Sequence, residues 1–317
     1  MSTPDEKSDA AAPAKPVSIF GGDLVAIVIC SLIWGTTWFA ITLQLAGPAG
    51  RPHVSPLVSL VYRFGSAALV LFGWLLVTRK QIRLNLRQHI EVALQGFFIF
   101  SVNYVCVYFA EERIVSAAAA VGFAAMSFLN LALFRVAVGQ KASPAAWLAS
   151  GAGVLGVVIM SWAELRRAHL DTGALIGMGV LFTGVLSATV GNLFAHRAHE
   201  KGVEVGASTA WSMAYGAAFI AVEALVKGDA WTFDTSLGYI GSLLYLSLFG
   251  SVVSFVLYFG LARRRGYAFA SYISAITPPI AMGVSAVFEH ARWGIEAVFG
   301  VALVVLGQLL LIRAKKA

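Results

Sequence analysis

The sequence predicts an all-α integral membrane protein of ten transmembrane helices, arranged as two five-helix inverted repeats. Three observations carry that expectation. The 317-residue chain is 59% hydrophobic and only 12% charged, where a soluble chain carries about a quarter charged residues. Its mean hydropathy is +0.79, and the apolar residues come in blocks of about 20, the length that ~30 Å of hydrocarbon demands. Short patterns also recur between the two halves at a nearly constant offset.

Taken in order, residues 1–22 open on the polar, Ala- and Pro-rich "MSTPDEKSDAAAPAKPVS" and predict a disordered cytoplasmic tail. No short apolar core followed by a cleavage site marks a removable signal, so the first block is expected to stay as helix 1. The blocks predict spans at 23–45, 56–77, 90–110, 114–137, 143–163, 173–195, 206–226, 238–262, 267–288 and 293–312, with only "EERI" between the third and fourth. Cys30 and Cys106 fall inside blocks and read as packing residues, since two embedded thiols make neither a disulfide framework nor a metal cluster.

An even number of spans puts both termini on one side. With the N-terminus inside, the inner segments hold 15 Lys and Arg residues and the outer loops 6. The excess of inner cations predicts cytoplasmic termini. The net charge of +7 lies in these short loops, which argues for orientation signals and against a nucleic-acid partner.

A cut between spans five and six gives a first repeat over 23–163 and a second over 173–313. "LIWGTTWFAI" (Leu32–Ile41) pairs with "LFTGVLSATV" (Leu181–Val190) at an offset of 149, and "YFAEER" (Tyr108–Arg113) with "YFGLAR" (Tyr258–Arg263) at 150. Ala149 and Gly156 match Gly300 and Gly307 at 151. Five spans per half make the second half enter the membrane from the opposite side, the arrangement many transporters use for alternating access.

The chain resembles the drug/metabolite transporter superfamily, in its EamA-type branch. The features that carry the resemblance are Trp34-Gly35 in span one, Arg63-Phe64 in span two, and a late Pro, acid and Gly-x6-Gly series, here Pro278 or Pro279, Glu289, Gly300 and Gly307. Glu289 follows the prolines sooner than the usual pattern has it, and His290 takes a Gly-like place. In the first half Ser127 and Gln140 stand where Pro and Glu are usual. The resemblance implies a carrier of small metabolites, often amino acids or drugs, with spans 1, 3, 4, 6, 8 and 9 lining a cavity between the halves.

Within the spans, Trp34, Trp38 and Thr42 lie at i, i+4 and i+8 on one helical face. Asn103, Tyr104 and Tyr108 form a second stripe, Ser127 and Asn130 belong to span four, Asn192 to span six, and Tyr272 and Thr277 to span nine. Aromatic faces with a few amides and hydroxyls suit a small amphipathic solute, so Trp34, Trp38, Asn103, Tyr104, Tyr108, Asn130, Asn192, Tyr272 and Thr277 are the candidate substrate-binding residues. Arg63 is the one basic residue deep in a span. An embedded charge needs protein, water or a partner, and Arg63 reads chiefly as a structural cation holding span two, off the implied cavity wall; a substrate carboxylate is the other use open to it. Pro278 and Pro279 remove two backbone donors near the expected midplane and mark span nine as a bent helix and a gate.

No carboxylate sits at a span centre; Glu91, Glu164, Glu223 and Glu289 fall near ends. Proton coupling is therefore left to edge groups such as Glu289–His290 or to no group at all, and the sequence leaves the oligomeric state open. "HRAHEK" (His196–Lys201) reads as a solvated cytoplasmic loop and not a metal pair. No nucleotide-binding glycine loop appears, and no cofactor is called for. The expected function is a secondary transporter of small organic metabolites, such as amino acids, exporting across a bacterial inner membrane with the solute and the lipid bilayer as its partners. The alternative is a membrane-embedded enzyme acting on lipid or isoprenoid substrates, which would need a His, Asp or Glu cluster that the sequence lacks; the chain is expected not to be an enzyme.

Overall fold

The computed structural model describes residues 21–46, 53–141, 143–167, 171–271 and 273–314. Of the tail expected over 1–22, residues 1–20 lie outside the described residues, as does the candidate Tyr272, while Gly21 and Gly22 already belong to the first helix. The described residues are helical, with no strand. The helices are α1 (Gly21–Leu45), α2 (Pro56–Val77), α3 (Leu86–Glu111), α4 (Ser116–Ala137), α5 (Pro144–Arg167), α6 (Thr172–Glu200), α7 (Val205–Lys227), α8 (Leu237–Arg265), α9 (Ile273–Phe288) and α10 (Ile295–Ala314). Among the described residues seven of them, α1–α4 and α6–α8, are long and apolar enough to cross a membrane, and α5, α9 and α10 carry shorter apolar helices.

Local chemistry sets the ends. Pro56 opens α2 at a position where its missing N–H costs nothing. Asn85 and Gln88 close a reciprocal capping box on α3, and the Asp171 carboxylate accepts from Gly173 N and Ala174 N at the start of α6. Helix α7 stops at Gly228, whose φ of +73° glycine adopts without strain. Helix α6 continues through "HRAHE" to Glu200, so the loop expected there is helical instead. His199 is buried beside the Phe259 ring, 6.3 Å away: its face of the helix still packs on protein, and that extends the helix past the apolar run.

Two irregular stretches were not foreseen. Gly96–Asn103 in α3 and Leu246–Val253 in α8 are π-helical, and their starts are 150 residues apart. Wide turns free carbonyls that side chains then satisfy. Ser251 Oγ and Ser254 Oγ donate to Leu246 O and Phe249 O, five residues back, at 2.9 Å each, and Ser187 Oγ donates to Phe98 O at 2.7 Å. A one-residue widening leaves hydrophobic periodicity almost intact, so the sequence pattern did not betray it.

Helix α4 tightens at Ala124–Ala125, whose N–H groups reach back only three residues to Val121 and Gly122. Span nine is likewise interrupted, with a single turn (Tyr267–Ala270) before α9. The prolines do not end the helix: α9 runs through both Pro278 and Pro279. Because α9 begins only at Ile273, the prolines fall in its second turn, where few intrahelical bonds precede them.

The principal packing partners all come from opposite halves. They are α5 with α10, α2 with α7 and α8, α3 with α6 and α7, α1 with α8 and α9, and α4 with α6. Exchanging the halves turns each of these pairs into itself or into another of the set. Small residues make the approaches close: a Cβ on Gly156 would lie 2.3 Å from Gly300 O, and one on Gly307 would lie 2.5 Å from Ala149 O. The small residues noted as repeated in the sequence are therefore the ones that touch. Large apolar side chains such as Leu69, Leu76, Val136 and Leu237 point outward, as expected where the surrounding solvent is hydrocarbon and buried contacts rest on small side chains.

Candidate functional site

A cavity of roughly 720 Å³, counting its open mouth, lies between the halves. It is walled by α1, α2, α3 and α4 of the first half and α6, α8 and α9 of the second. Every span implied by the resemblance contributes, and α2 adds Arg63.

Helix α1 gives Trp34, Thr37, Trp38 and Ile41, one face at spacings of three and four. Trp34 Nε1 donates to Gly250 O in the π-segment of α8 at 3.2 Å, and the indole packs on Phe255 and Tyr258 with centroids 5.3 and 5.4 Å away. Trp38 packs on Phe123 at 5.1 Å; its Nε1 is buried with no partner among the described residues. From α3 come Ile99, Asn103, Tyr104 and Val107. Asn103 Nδ2 donates to Ile99 O at 3.2 Å, but Oδ1 is buried and bare. Thr277 on α9 spends its hydroxyl proton on Ile273 O at 2.8 Å, so its oxygen can only accept.

Asn192 lines the cavity and begins a hydrogen-bonded chain that leaves it. Its Nδ2 donates to Asn130 Oδ1 at 3.2 Å, Asn130 Nδ2 to Ser271 Oγ at 2.9 Å, and Ser271 Oγ to Tyr267 O at 2.7 Å. Asn130 thus sits behind the wall, tying α6 through α4 to the entry of span nine. Tyr108 does not reach the cavity either; its hydroxyl donates to Gln44 Oε1 at 2.6 Å. Substituting Tyr108 by Phe leaves a buried amide without its donor, a loss of about 1–2 kcal/mol. The expected result is a lower thermal midpoint with unchanged solute affinity; an affinity change at equal stability would put Tyr108 back in the site. Pro278 is buried and Pro279 exposed, and neither lines the cavity, although Ser274 and Thr277 just before them do.

Arg63 departs from the expectation. Its side chain is 1% exposed and lies on the cavity wall. A long side chain reaches several ångströms from its helix, so a residue on a helix behind the wall can place its head group in it.

Among the wall residues missed in the sequence, Phe255 and Tyr258 lie three apart on α8, Ser274 lies three before Thr277, and Ala188 lies four before Asn192; the helical faces through Thr277 and Asn192 would have pointed to the last two. Glu111 was also missed, because "EERI" read as a loop. It is buried at the end of α3, both carboxylate oxygens lacking a partner among the described residues, while Ser116 Oγ, at the start of α4, donates across the halves to Glu289 Oε2 at 2.6 Å.

At the end where α1 begins, Asp23 is clasped by the last turn of α8. Arg264 Nη2 and Nε reach Oδ1 at 3.0 and 3.3 Å, and Arg265 Nε reaches Oδ2 at 2.7 Å. The contact again joins one half to the other.

The model of the EamA-like transporter family matches this chain twice, over residues 22–162 and 175–313. The chain belongs to the EamA-like transporter family. Among relatives, it is 26% identical over 295 residues to the uncharacterized inner membrane transporter YedA of Escherichia coli (strain K12), covering 90% of this chain and 91% of that one. It is 21% identical over 289 residues to the uncharacterized transporter YoaV of Bacillus subtilis (strain 168), covering 90% and 94%. A protein crystal structure superposes with a TM-score of 0.71 at 15% identity, over 92% of this chain and 97% of the other; that likeness shows a shared fold. Family membership makes the chain a multi-pass membrane transporter and favours that over an embedded enzyme.

Proposed function

We propose that the chain is a secondary carrier that exports small organic metabolites, amino acids or related solutes, across a bacterial inner membrane by alternating access. In this reading all ten helices span the bilayer, in inverted repeats over 23–163 and 173–313, with both termini cytoplasmic. The observation that carries it is the cavity itself, a mostly aromatic and aliphatic chamber walled by both halves. Its size and few polar groups suit one small amphipathic molecule. The double family match and the exchange-related helix pairs support the repeats, the excess of inner Lys and Arg supports the orientation, and the likeness to YedA, an inner membrane transporter, supports the membrane.

Two similar halves facing opposite ways can trade conformations, so one cavity opens to each side in turn. Trp34, Trp38, Asn103, Tyr104, Asn192 and Thr277 are the contacts expected from the cavity wall; Asn130 and Tyr108 support them from behind. Proton coupling, where present, falls to buried or edge carboxylates such as Glu111 and Glu289. The test is counterflow in proteoliposomes loaded with a panel of amino acids and related acids and amines. Saturable counterflow of a panel member is expected; flux that rises without saturation would point to a channel.

A further inference from the structure

The cavity contains one charged side chain, Arg63. Among the described residues it makes no ion pair. Nε donates to Ser251 Oγ at 3.1 Å, and the guanidinium carbon lies 4.7 Å from the Tyr104 ring centroid and 5.2 Å from that of Phe64. Nη1 is buried and has no hydrogen-bond partner among the described residues. The backbone makes room for the head group: a Cβ on Gly250 would lie 2.9 Å from Thr37 Cγ2 and 3.4 Å from Arg63 Nη2.

This is an incomplete site. A guanidinium carries five N–H donors, and the two on Nη1 are not answered among the described residues. Aromatic faces offset part of the cost of burying the cation, but they do not satisfy N–H donors that lie in the guanidinium plane. In a membrane interior an unpaired cation is costly and calls for a partner. The buried carboxylate of Glu111 does not bond to Arg63, since both of its oxygens lack a hydrogen-bond partner among the described residues. Resting on the carrier reading above, we infer that the transported solute presents a carboxylate, which binds against Arg63 Nη1 while its apolar body lies among the cavity's aromatic rings.

The arithmetic of charge selects the group. One unpaired cation matches one negative charge, whereas a phosphate dianion would bring a second charge that the wall does not answer. The remaining bare groups on the wall are an acceptor, Asn103 Oδ1, a donor, Trp38 Nε1, and the Tyr258 hydroxyl, which can do either. A neutral or cationic solute would fill these and leave the guanidinium unanswered. A carboxylate with a neighbouring N–H donor has the groups to answer Arg63, Trp38, Asn103 and the Tyr258 hydroxyl.

The test uses the purified full chain and probes sharing one phenyl body: 3-phenylpropionate, phenylalanine, 3-phenylpropanamide, phenethylamine and phenyl phosphate. Thermal stabilisation reads binding, and counterflow reads transport. The two carboxylates are expected to bind at least tenfold more tightly than the amide, the amine or the phosphate. Arg63→Gln should lower carboxylate affinity roughly 10- to 100-fold, the range for a lost charge-assisted hydrogen bond, and Arg63→Lys should retain part of the preference. Equal binding of amide and carboxylates would overturn the inference, as would the absence of carboxylate binding at millimolar concentration or a preference that survives in a folded Arg63→Gln protein. The wild-type series decides the matter alone if the Gln variant does not fold. Saturable counterflow without charge preference would remove this inference and leave the carrier; carboxylate-selective, Arg63-dependent binding without counterflow would do the reverse.

Discussion

Gly156→Val lowers the thermal midpoint of the protein by roughly 6–12 °C, while Gly151→Val leaves it within a degree or two. The two positions lie on the same helix, α5, and differ in what faces them. A Cβ on Gly156 would stand 2.3 Å from Gly300 O and 2.9 Å from Val304 N, whereas nothing lies within 4 Å of one on Gly151. The obstacle at Gly156 is backbone, which cannot swing aside as a side chain would. Helices α5 and α10 must separate, and overpacking of this kind costs about 3 kcal/mol, which sets the shift at ~2–4 °C per kcal/mol. Lipid offers no hydrophobic drive to hold the helices together once close packing is lost. Equal falls for both variants, read by thermal unfolding in detergent, would remove the α5–α10 contact as the cause.

Asp23→Asn opens the cavity toward the end where α1 begins. Asp23 is 4% exposed and takes three N–H contacts from Arg264 and Arg265. It also sits in the first turn of α1, and the arginines in the last turn of α8, each where the helix dipole favours its charge. Asparagine keeps the shape and loses the charge. Arg264 is more than half exposed, so solvent screens its share, and the change is set at about 1–2 kcal/mol, a factor of 5–30 in the population that is open at this end. The measurement is the rate at which an impermeant thiol reagent reaches a cysteine placed in the cavity from that side. An unchanged rate would show that the clasp is decoration and not part of the gate.

How far the sequence could be read depended on the kind of force involved. The ends of α1, α2, α4 and α7 came from hydrophobic length, a signal that the bilayer makes strong, and they fall within two residues of expectation. The aromatic and polar stripe on α1 was legible because helical spacing places Trp34 and Trp38 on one face. Arg63 was misjudged because its helix lies mostly behind the wall and only the side chain's reach brings the charge into the cavity. Tyr108 carries the same chemistry as Tyr104, but four residues on it turns to Gln44, a partner 64 positions away. The π-segments and the clasp on Asp23 depend on contacts across the halves, which spacing along one helix does not encode. On α9 the sequence pointed to Thr277 and missed Ser274, one turn before it on the same face.

In a carrier of this kind the cavity between the halves is reached from each side in turn and holds the solute. With Cys30 and Cys106 replaced by alanine, Ala188→Cys puts a single thiol on the cavity wall, on α6. A membrane-impermeant thiol reagent is then applied from either face of sealed, oriented vesicles, with and without a counterflow-active solute. The account predicts labelling from both faces, slowed on both by the solute. Labelling confined to one face under every condition would contradict it.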